Sequence, residues 1–299
     1  MLPLATLSAP AKINLSLRIV SKRADGYHEL ESLFLPVAGL CDTLEIYAAH
    51  VGTGCVMEPP LPGVPQEKNL VYRAWAAFGQ ATGFSPDITV GLTKRIPTGA
   101  GLGGGSSDAA ALLLWLNGEA GSKALSPSEL NALAAGLGAD VPFFLVGGPA
   151  FACGIGEVLT PVELDLEGLT LVIVSPQVHI STPWAFGQWD SQHGNATRIL
   201  HQEFLTSLET THKRRISLLP VIVRNDFEPL VFDAFPHLLM IKEELLRRGA
   251  VCAALSGSGS SIFALFRKLD VSIEAGEAIR ANDLPVHREA LKHWGVAKW

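Results

Sequence analysis

Apolar and polar residues alternate from Ile13 to Val20 (Ile-Asn-Leu-Ser-Leu-Arg-Ile-Val), which predicts a half-buried strand. A turn-rich basic link, Ser21 to Gly26, leads to Tyr27-His28 and then to an apolar run at Leu33 to Val37. Asp42 to Ala48 predicts another strand, and the four prolines within Glu58 to Gln66 predict a loop. Over Asn69 to Gly83, residues Leu70, Val71, Ala74, Ala77 and Phe78 fall on one side of a helix, with Gly83 as its stop. Ile88 to Leu92 reads as a strand and Asp108 to Asn117 as the next helix. Ser126-Pro-Ser-Glu129 is a helix entry, with Ser126 at the N-cap, Pro127 at the first position and Glu129 closing a capping box; that helix runs to about Gly136.

Gly138 to Pro142 reads as a turn, and Ala150 to Gly154 and Leu169 to Ser175 read as strands. Trp184 to Arg215 is polar and irregular, with short helices expected. Asn225 to Pro229 predicts a capped turn, and Phe235 to Arg248 a helix ended by Gly249. Ala250 to Leu255 and Ser261 to Phe266 predict strands around a glycine–serine turn, followed by a helix from Val271 to Asn282 and a strand from Val286. Strands and helices mix without strict alternation, which points to an α+β fold rather than a doubly wound sheet. A division into two units is expected near Pro161 to Gly168, giving residues 1–163 and 164–299.

One stretch stands apart from this patterning: Lys94-Arg-Ile-Pro-Thr-Gly-Ala-Gly-Leu-Gly-Gly-Gly-Ser-Ser-Asp108. Gly99, Gly101, Gly103, Gly104 and Gly105 fall within seven residues, between a strand and a helix. Glycine lets backbone N–H groups converge on a ligand, and a helix start adds free donors and a positive dipole end, so the stretch suits a phosphate. A floppy linker would not sit between two strong element signals. The Walker A pattern fails, because Gly105 follows Gly104 and no lysine comes after it. A dinucleotide fingerprint is formally present at Gly99, Gly101 and Gly104, but Lys94 to Pro97 separates strand from glycines and no parallel βαβ pattern surrounds them.

Composition narrows the setting. With 48% hydrophobic and 17% charged residues over 299 positions, the chain is globular. A net charge of −6 and a pI near 5.8 argue against nucleic acid as partner. Cys41, Cys55, Cys153 and Cys252 are scattered, so neither a zinc site nor a disulfide framework is expected, and a reducing cytoplasm fits. Met1 to Pro10 lacks a signal-peptide pattern and Val141 to Cys153 is too short to span a bilayer, so no membrane is expected.

Pro97 to Ala109 resembles the phosphate-binding motif of the GHMP kinases, the superfamily of galactokinase, homoserine kinase and mevalonate kinase. Pro10-Ala-Lys12-Ile-Asn14-Leu resembles the family's first motif and Leu255 to Phe263 its third, which packs against the nucleotide loop. The resemblance implies an α+β, two-domain GHMP kinase fold with a ribosomal-S5-like N-terminal domain and a ferredoxin-like C-terminal domain. It also implies that the backbone at Pro97, Gly99, Ala100, Gly101, Leu102, Gly103, Gly104, Gly105, Ser106 and Ser107 wraps ATP phosphates, with Ser106 and Ser107 as ligands through N–H and hydroxyl. Asn69 and Leu70 would border the adenine, and Lys94 would reach the nucleotide.

Arg23 to Leu30, Gly138 to Phe144, Gly154 to Glu157 and Ile180 to Phe186 resemble the branch that phosphorylates a diphosphocytidyl methylerythritol for isoprenoid precursors. Phosphoryl transfer needs a held nucleotide, neutralised charge and a positioned hydroxyl. Asp140 can accept the hydroxyl proton, and Lys12 can hold Asp140 ionised and offset phosphoryl charge; resemblance makes them the catalytic pair. From position alone, Asp140 reads as a helix cap or turn residue and Lys12 as a solvated strand lysine. Tyr27 and Phe186 suit the two faces of a cytosine and His28 its edge, with Asn14 and Thr182 on the substrate's polar groups. Taken singly, Tyr27, His28 and Phe186 read as ordinary half-buried packing. ATP transfer requires Mg²⁺, whose protein ligands are not legible. The expected partner is the small cytidine diphosphate substrate, with the chain a monomer or weak homodimer. Two other readings stay open: another superfamily kinase of homoserine or mevalonate type, and a non-catalytic α+β RNA-binding module.

Overall fold

The computed structural model describes residues 2–193 and 222–295. In chain order the strands β1 (Ala5–Lys22), β2 (His28–Ala48) and β3 (Cys55–Met57) precede helix α1 (Leu70–Thr82) and strand β4 (Ile88–Thr93). Helices α2 (Gly104–Glu119), α3 (Pro127–Leu137) and α4 (Val141–Val146) follow, then strands β5 (Ala150–Cys153), β6 (Val158–Pro161), β7 (Leu164–Asp165) and β8 (Thr170–Val174). The rest comprises α5 (Thr182–His193), β9 (Arg224–Asn225), α6 (Glu228–Ala234), α7 (Pro236–Arg247), β10 (Cys252–Leu255), β11 (Ile262–Phe266), α8 (Leu269–Arg280), β12 (Val286–Ala290) and β13 (His293–Trp294).

The helix signals act as written. Asn69 Oδ1 accepts from Val71 N at 2.9 Å to cap α1, and Gly83 ends it in the left-handed region. The Ser126–Glu129 capping box starts α3. Three expectations need correction. The separate runs Leu33 to Val37 and Asp42 to Ala48 belong to one strand, β2, because register shifts at Pro10/Ala11 in β1 absorb the irregularity between them. Helix α2 begins four residues earlier than Asp108, at Gly104. Gly138 to Pro142 is not a plain turn, since Val141 opens α4 with Pro142 in its first turn. Of the segment Trp184 to Arg215, α5 covers the part to His193; residues 194–215 lie outside the described residues.

The first sheet runs β3-β4-β2-β1-β9, with β5 paired to β2 and β6 paired in turn to β5. The pairing of β1 with β2 extends from Ala5↔Ile46 to Lys22↔His28. The second sheet runs β10-β11-β8-β12, all antiparallel. Numbered within its own unit, that order is 2-3-1-4 with helices between the first and second and the third and fourth strands, the ferredoxin-like arrangement. Val71, Ala74, Phe78, Leu112, Leu113 and Leu116 of α1 and α2 cover one face of the first sheet. Ile13, Leu15, Leu33 and Leu35 of that sheet pack with Leu171, Ile173, Phe263 and Leu265 of the second, so one apolar layer joins the two units. With Ala11, Ile13 and Leu15 turned into that layer, the period of two sends Lys12 and Asn14 to the opposite face.

Candidate active site

The glycine stretch leaves β4 and enters α2. Gly101 has φ 77° and Gly103 φ 70°, backbone that a side chain rarely adopts. At Gly101 an added Cβ would lie 2.1 Å from the Ser256 carbonyl oxygen, so the third motif packs directly on the loop as the resemblance implies. Ser256 Oγ donates to Gly101 O at 3.0 Å, Ser261 N to Ala100 O at 3.2 Å and Lys12 N to Leu102 O at 2.9 Å. The loop's carbonyls are thereby turned into the protein. Among the described residues nothing takes the N–H groups of Gly104, Gly105 and Ser106, the first turn of α2. These free donors fit a phosphate.

Ser107 departs from its expected role. Its N–H donates to Gly103 O at 2.9 Å, because α2 starts at Gly104 and Ser107 is already past the unpaired first turn. Its hydroxyl is buried without a partner. Lys94 is also more than a free arm. Its Nζ is held between Asp42 and Asp108, the latter at 2.7 Å. Asp42 Oδ1 further accepts the N–H groups of Arg95 at 2.6 Å and Ile96 at 2.9 Å, fixing the entry to the loop. Burial pushes the Asp108 carboxyl up to about 7 against the pull of the Lys94 ammonium. Asn69, Leu70, Lys94, Pro97 and the loop from Gly99 to Ser106 line a cavity of about 340 Å³, together with Leu61, Val64 and Lys68. Leu61 and Val64 lie in the proline-rich segment, where the sequence offers no chemical signal.

A second cavity, of about 650 Å³, lies on the other side of the loop and shares Gly101, Gly103 and Ser106 with the first. It brings together Lys12, Asn14, Tyr27, His28, Asp140, Thr182 and Phe186, all of the expected catalytic and substrate residues. Lys12 is no solvated strand lysine. It is 3% exposed, its Nζ lies 3.4 Å from Asp140 Oδ2 and donates to Asn14 Oδ1 at 2.6 Å, and the ammonium stands 5.0 Å over the Phe34 ring. Asp140 occupies the N-cap position of α4 but makes no side-chain cap bond; its carboxylate is spent on Lys12. Asn14 Nδ2 donates to Ser32 Oγ at 2.8 Å, and Asn14 N donates to Ser256 Oγ at 3.3 Å, so one hydroxyl touches both the loop and this strand.

At the far end Tyr27 is 60% exposed at the mouth. The sandwich expected of Tyr27 and Phe186 is modified by His28, whose ring stacks on Phe186 at 4.4 Å and 14°. Thr182 Oγ1 is 2.8 Å from Ser258 Oγ. Ser32 and Phe34 of β2 and Asp190 of α5 escape sequence reasoning, since none of them carries a motif; Ser258 lies within the third motif, but no role of its own is legible there.

Comparison with known proteins agrees with this geometry. The description "GHMP kinases N terminal domain" matches residues 69–148 and "GHMP kinases C terminal" matches residues 207–283. A 4-diphosphocytidyl-2-C-methyl-D-erythritol kinase of Solidesulfovibrio magneticus is 44% identical over 266 residues, 88% of each chain. One of Nitratidesulfovibrio vulgaris is 41% identical over 286 residues, 96% of this chain and 98% of its own. A crystal structure of 4-(cytidine 5'-diphospho)-2C-methyl-D-erythritol kinase superposes with a TM-score of 0.77 at 34% identity, covering 96% of this chain and 99% of that one. The chain belongs to the GHMP kinases and, within them, to the family of 4-diphosphocytidyl-2-C-methyl-D-erythritol kinases.

Proposed function

We propose that this chain transfers the γ-phosphoryl group of ATP to the 2-hydroxyl of 4-diphosphocytidyl-2-C-methyl-D-erythritol. The observation that carries the reading is the junction of two cavities at the glycine loop, with the Lys12–Asp140 pair on the acceptor side. ATP supplies the activated phosphoryl group. The unpaired N–H groups of Gly104, Gly105 and Ser106 bind its phosphate oxygens, and Asn69 and Leu70 border the adenine end. Asp140 takes the proton of the attacking hydroxyl, and Lys12, beside that carboxylate, offsets charge as the phosphoryl group moves. Tyr27 and Phe186 hold the pyrimidine, His28 its polar edge, and Asn14 and Thr182 the sugar-alcohol diphosphate.

Mg²⁺ fits as a counter-charge on the phosphates rather than as a caged ion. Among the described residues no group of three or more His, Cys, Asp or Glu could hold a metal. Water and phosphate oxygens would supply most of its ligands. The net charge of −6 supports a small-molecule partner rather than nucleic acid. Among the described residues no helix is long and apolar enough to cross a membrane. A cytoplasmic monomer or weak homodimer, divided between residues 163 and 164, completes the reading; β6 ends at Pro161 and β8 begins at Thr170.

Incubation with ATP, Mg²⁺ and the diphosphocytidyl methylerythritol is expected to yield ADP and the 2-phosphate. Turnover of homoserine or mevalonate, with none of the cytidyl substrate, would overturn the acceptor assignment and leave the fold class standing.

A further inference from the structure

The transfer chemistry does not use Asp190, yet both of its oxygens are engaged inside the acceptor cavity. Oδ1 lies 2.7 Å from His28 Nε2, and Oδ2 accepts from Lys22 Nζ at 2.6 Å. Lys22 and His28 face each other where β1 and β2 meet, and Asp190 comes to them from α5. Burial pushes the Asp190 carboxyl up, but the bonds from Lys22 and His28 outweigh it and hold it below the usual carboxylate range. An ionised carboxylate only accepts hydrogen bonds, so Nε2 must carry the imidazole proton. In a neutral imidazole the other nitrogen is then a pure acceptor. Among the described residues no group takes Nδ1. The ring cannot turn away, being 5% exposed, stacked on Phe186 and set edge-on to buried Trp189 at 5.6 Å and 85°.

We propose that Asp190 is a positioning residue that sets base specificity: by accepting the Nε2 proton it presents His28 Nδ1 as an acceptor for the 4-amino group of cytosine and sets it against the 4-oxo group of uracil. This rests on the cytidyl reading of the acceptor cavity. Cytosine offers a donor at position 4 where uracil offers an acceptor, so a fixed tautomer separates the two bases without steric exclusion. Lys22 balances the carboxylate and keeps both of its oxygens in place.

The test compares kcat/KM for the cytidyl substrate and its uridine diphosphate analogue, with the full chain. Wild type is expected to prefer the cytidyl substrate by at least about 100-fold, the range of a site built around a hydrogen bond. In Asp190→Asn the side-chain amide can donate to Nε2 and move the ring proton to Nδ1. The preference then falls at least about tenfold through KM for the cytidyl substrate, with kcat and KM for ATP within about twofold. Asp190→Glu keeps an acceptor-only group and retains most of the preference, which a purely structural role would not. Nitrogen-15 NMR of the histidine rings reads the tautomer directly, with Nε2–H expected for His28 in wild type and Nδ1–H in Asp190→Asn. An unchanged base preference in Asp190→Asn overturns the inference, as does Nδ1–H in wild type. If neither substrate turns over, the proposed function fails; the wild-type tautomer then decides on Asp190 by itself.

Discussion

In the proposed site the nucleotide half is built from backbone, and the acceptor half from side chains. In the first, one run of residues between β4 and α2 supplies nearly everything, and partners such as Ser256 and Asp42 hold that backbone in shape. In the second, β1, β2, the residue that caps α4, α5 and the β10–β11 turn each contribute groups to a common cavity. A backbone site is decided by where glycine is and where Cβ atoms are absent. A side-chain site is decided by pairing, so it tolerates drift in the chain but not loss of a partner. The two halves should therefore fail differently.

The sharpest contrast comes from Asp140→Ala, which removes a partner and leaves the backbone alone. Its kcat should fall by about 10³-fold, within the range of a lost general base, while ATP binding and melting temperature stay near wild type. A rate within about tenfold of wild type would remove Asp140 from the proton-transfer role. Gly101→Ala tests the other half. Its Cβ would meet Ser256 O at 2.1 Å in backbone of φ 77°, so a loss of roughly 2–4 kcal/mol in stability and at least about tenfold in ATP affinity is expected by denaturation and equilibrium binding.

Asp108 lies under the nucleotide half and gives a pH signature. Its folded pKa is raised to about 7 from 3.8, so between those values the folded chain keeps a proton that the unfolded chain has lost. Its contribution to stability is complete below pH 3.8 and declines as pH rises through about 7. Asp108→Asn should flatten that decline, by something on the order of 1–4 kcal/mol in urea unfolding at pH 8 against pH 5. A decline of equal size in both proteins would mean that another group sets it. The smallest effect belongs to the rim. Tyr27 is 60% exposed, so Tyr27→Ala should leave stability unchanged and raise KM for the cytidyl substrate about tenfold, the worth of one stacking face, without moving KM for ATP.

The same contrast explains what could be read beforehand. The glycine run, the Gly83 stop and the Ser126 capping box are local, because each feature is completed within a few residues of chain. Lys12, Asp140, Tyr27, His28 and Phe186 were legible only through family resemblance; nothing local distinguishes them from core or surface residues. Asp42 and Asp190 were not legible at all. Asp42 sits in a strand yet serves a loop 52 to 54 residues later, and Asp190 reaches across 162 residues to His28. The length of β2 was hidden for a related reason. Its outer half pairs with β4 and its inner residues Ser32 to Phe34 with β5, so its two apolar stretches belong to different neighbours. Helix α4 was missed because Val-Pro-Phe-Phe-Leu-Val is as apolar as a buried strand, and six residues are too few to show a period.

Ser256 and Ser261 have a consequence for the making of the protein. They supply the partners of the Gly101 and Ala100 carbonyls, from about 155 residues further along the chain. During synthesis the glycine loop emerges long before the residues that brace it. A growing or truncated chain that stops short of Ser256 carries every residue of the phosphate cradle without its clasp. The shape of the cradle therefore depends on the last third of the chain, and a ligand that binds only the braced loop would stabilise the contact between early-made and late-made residues.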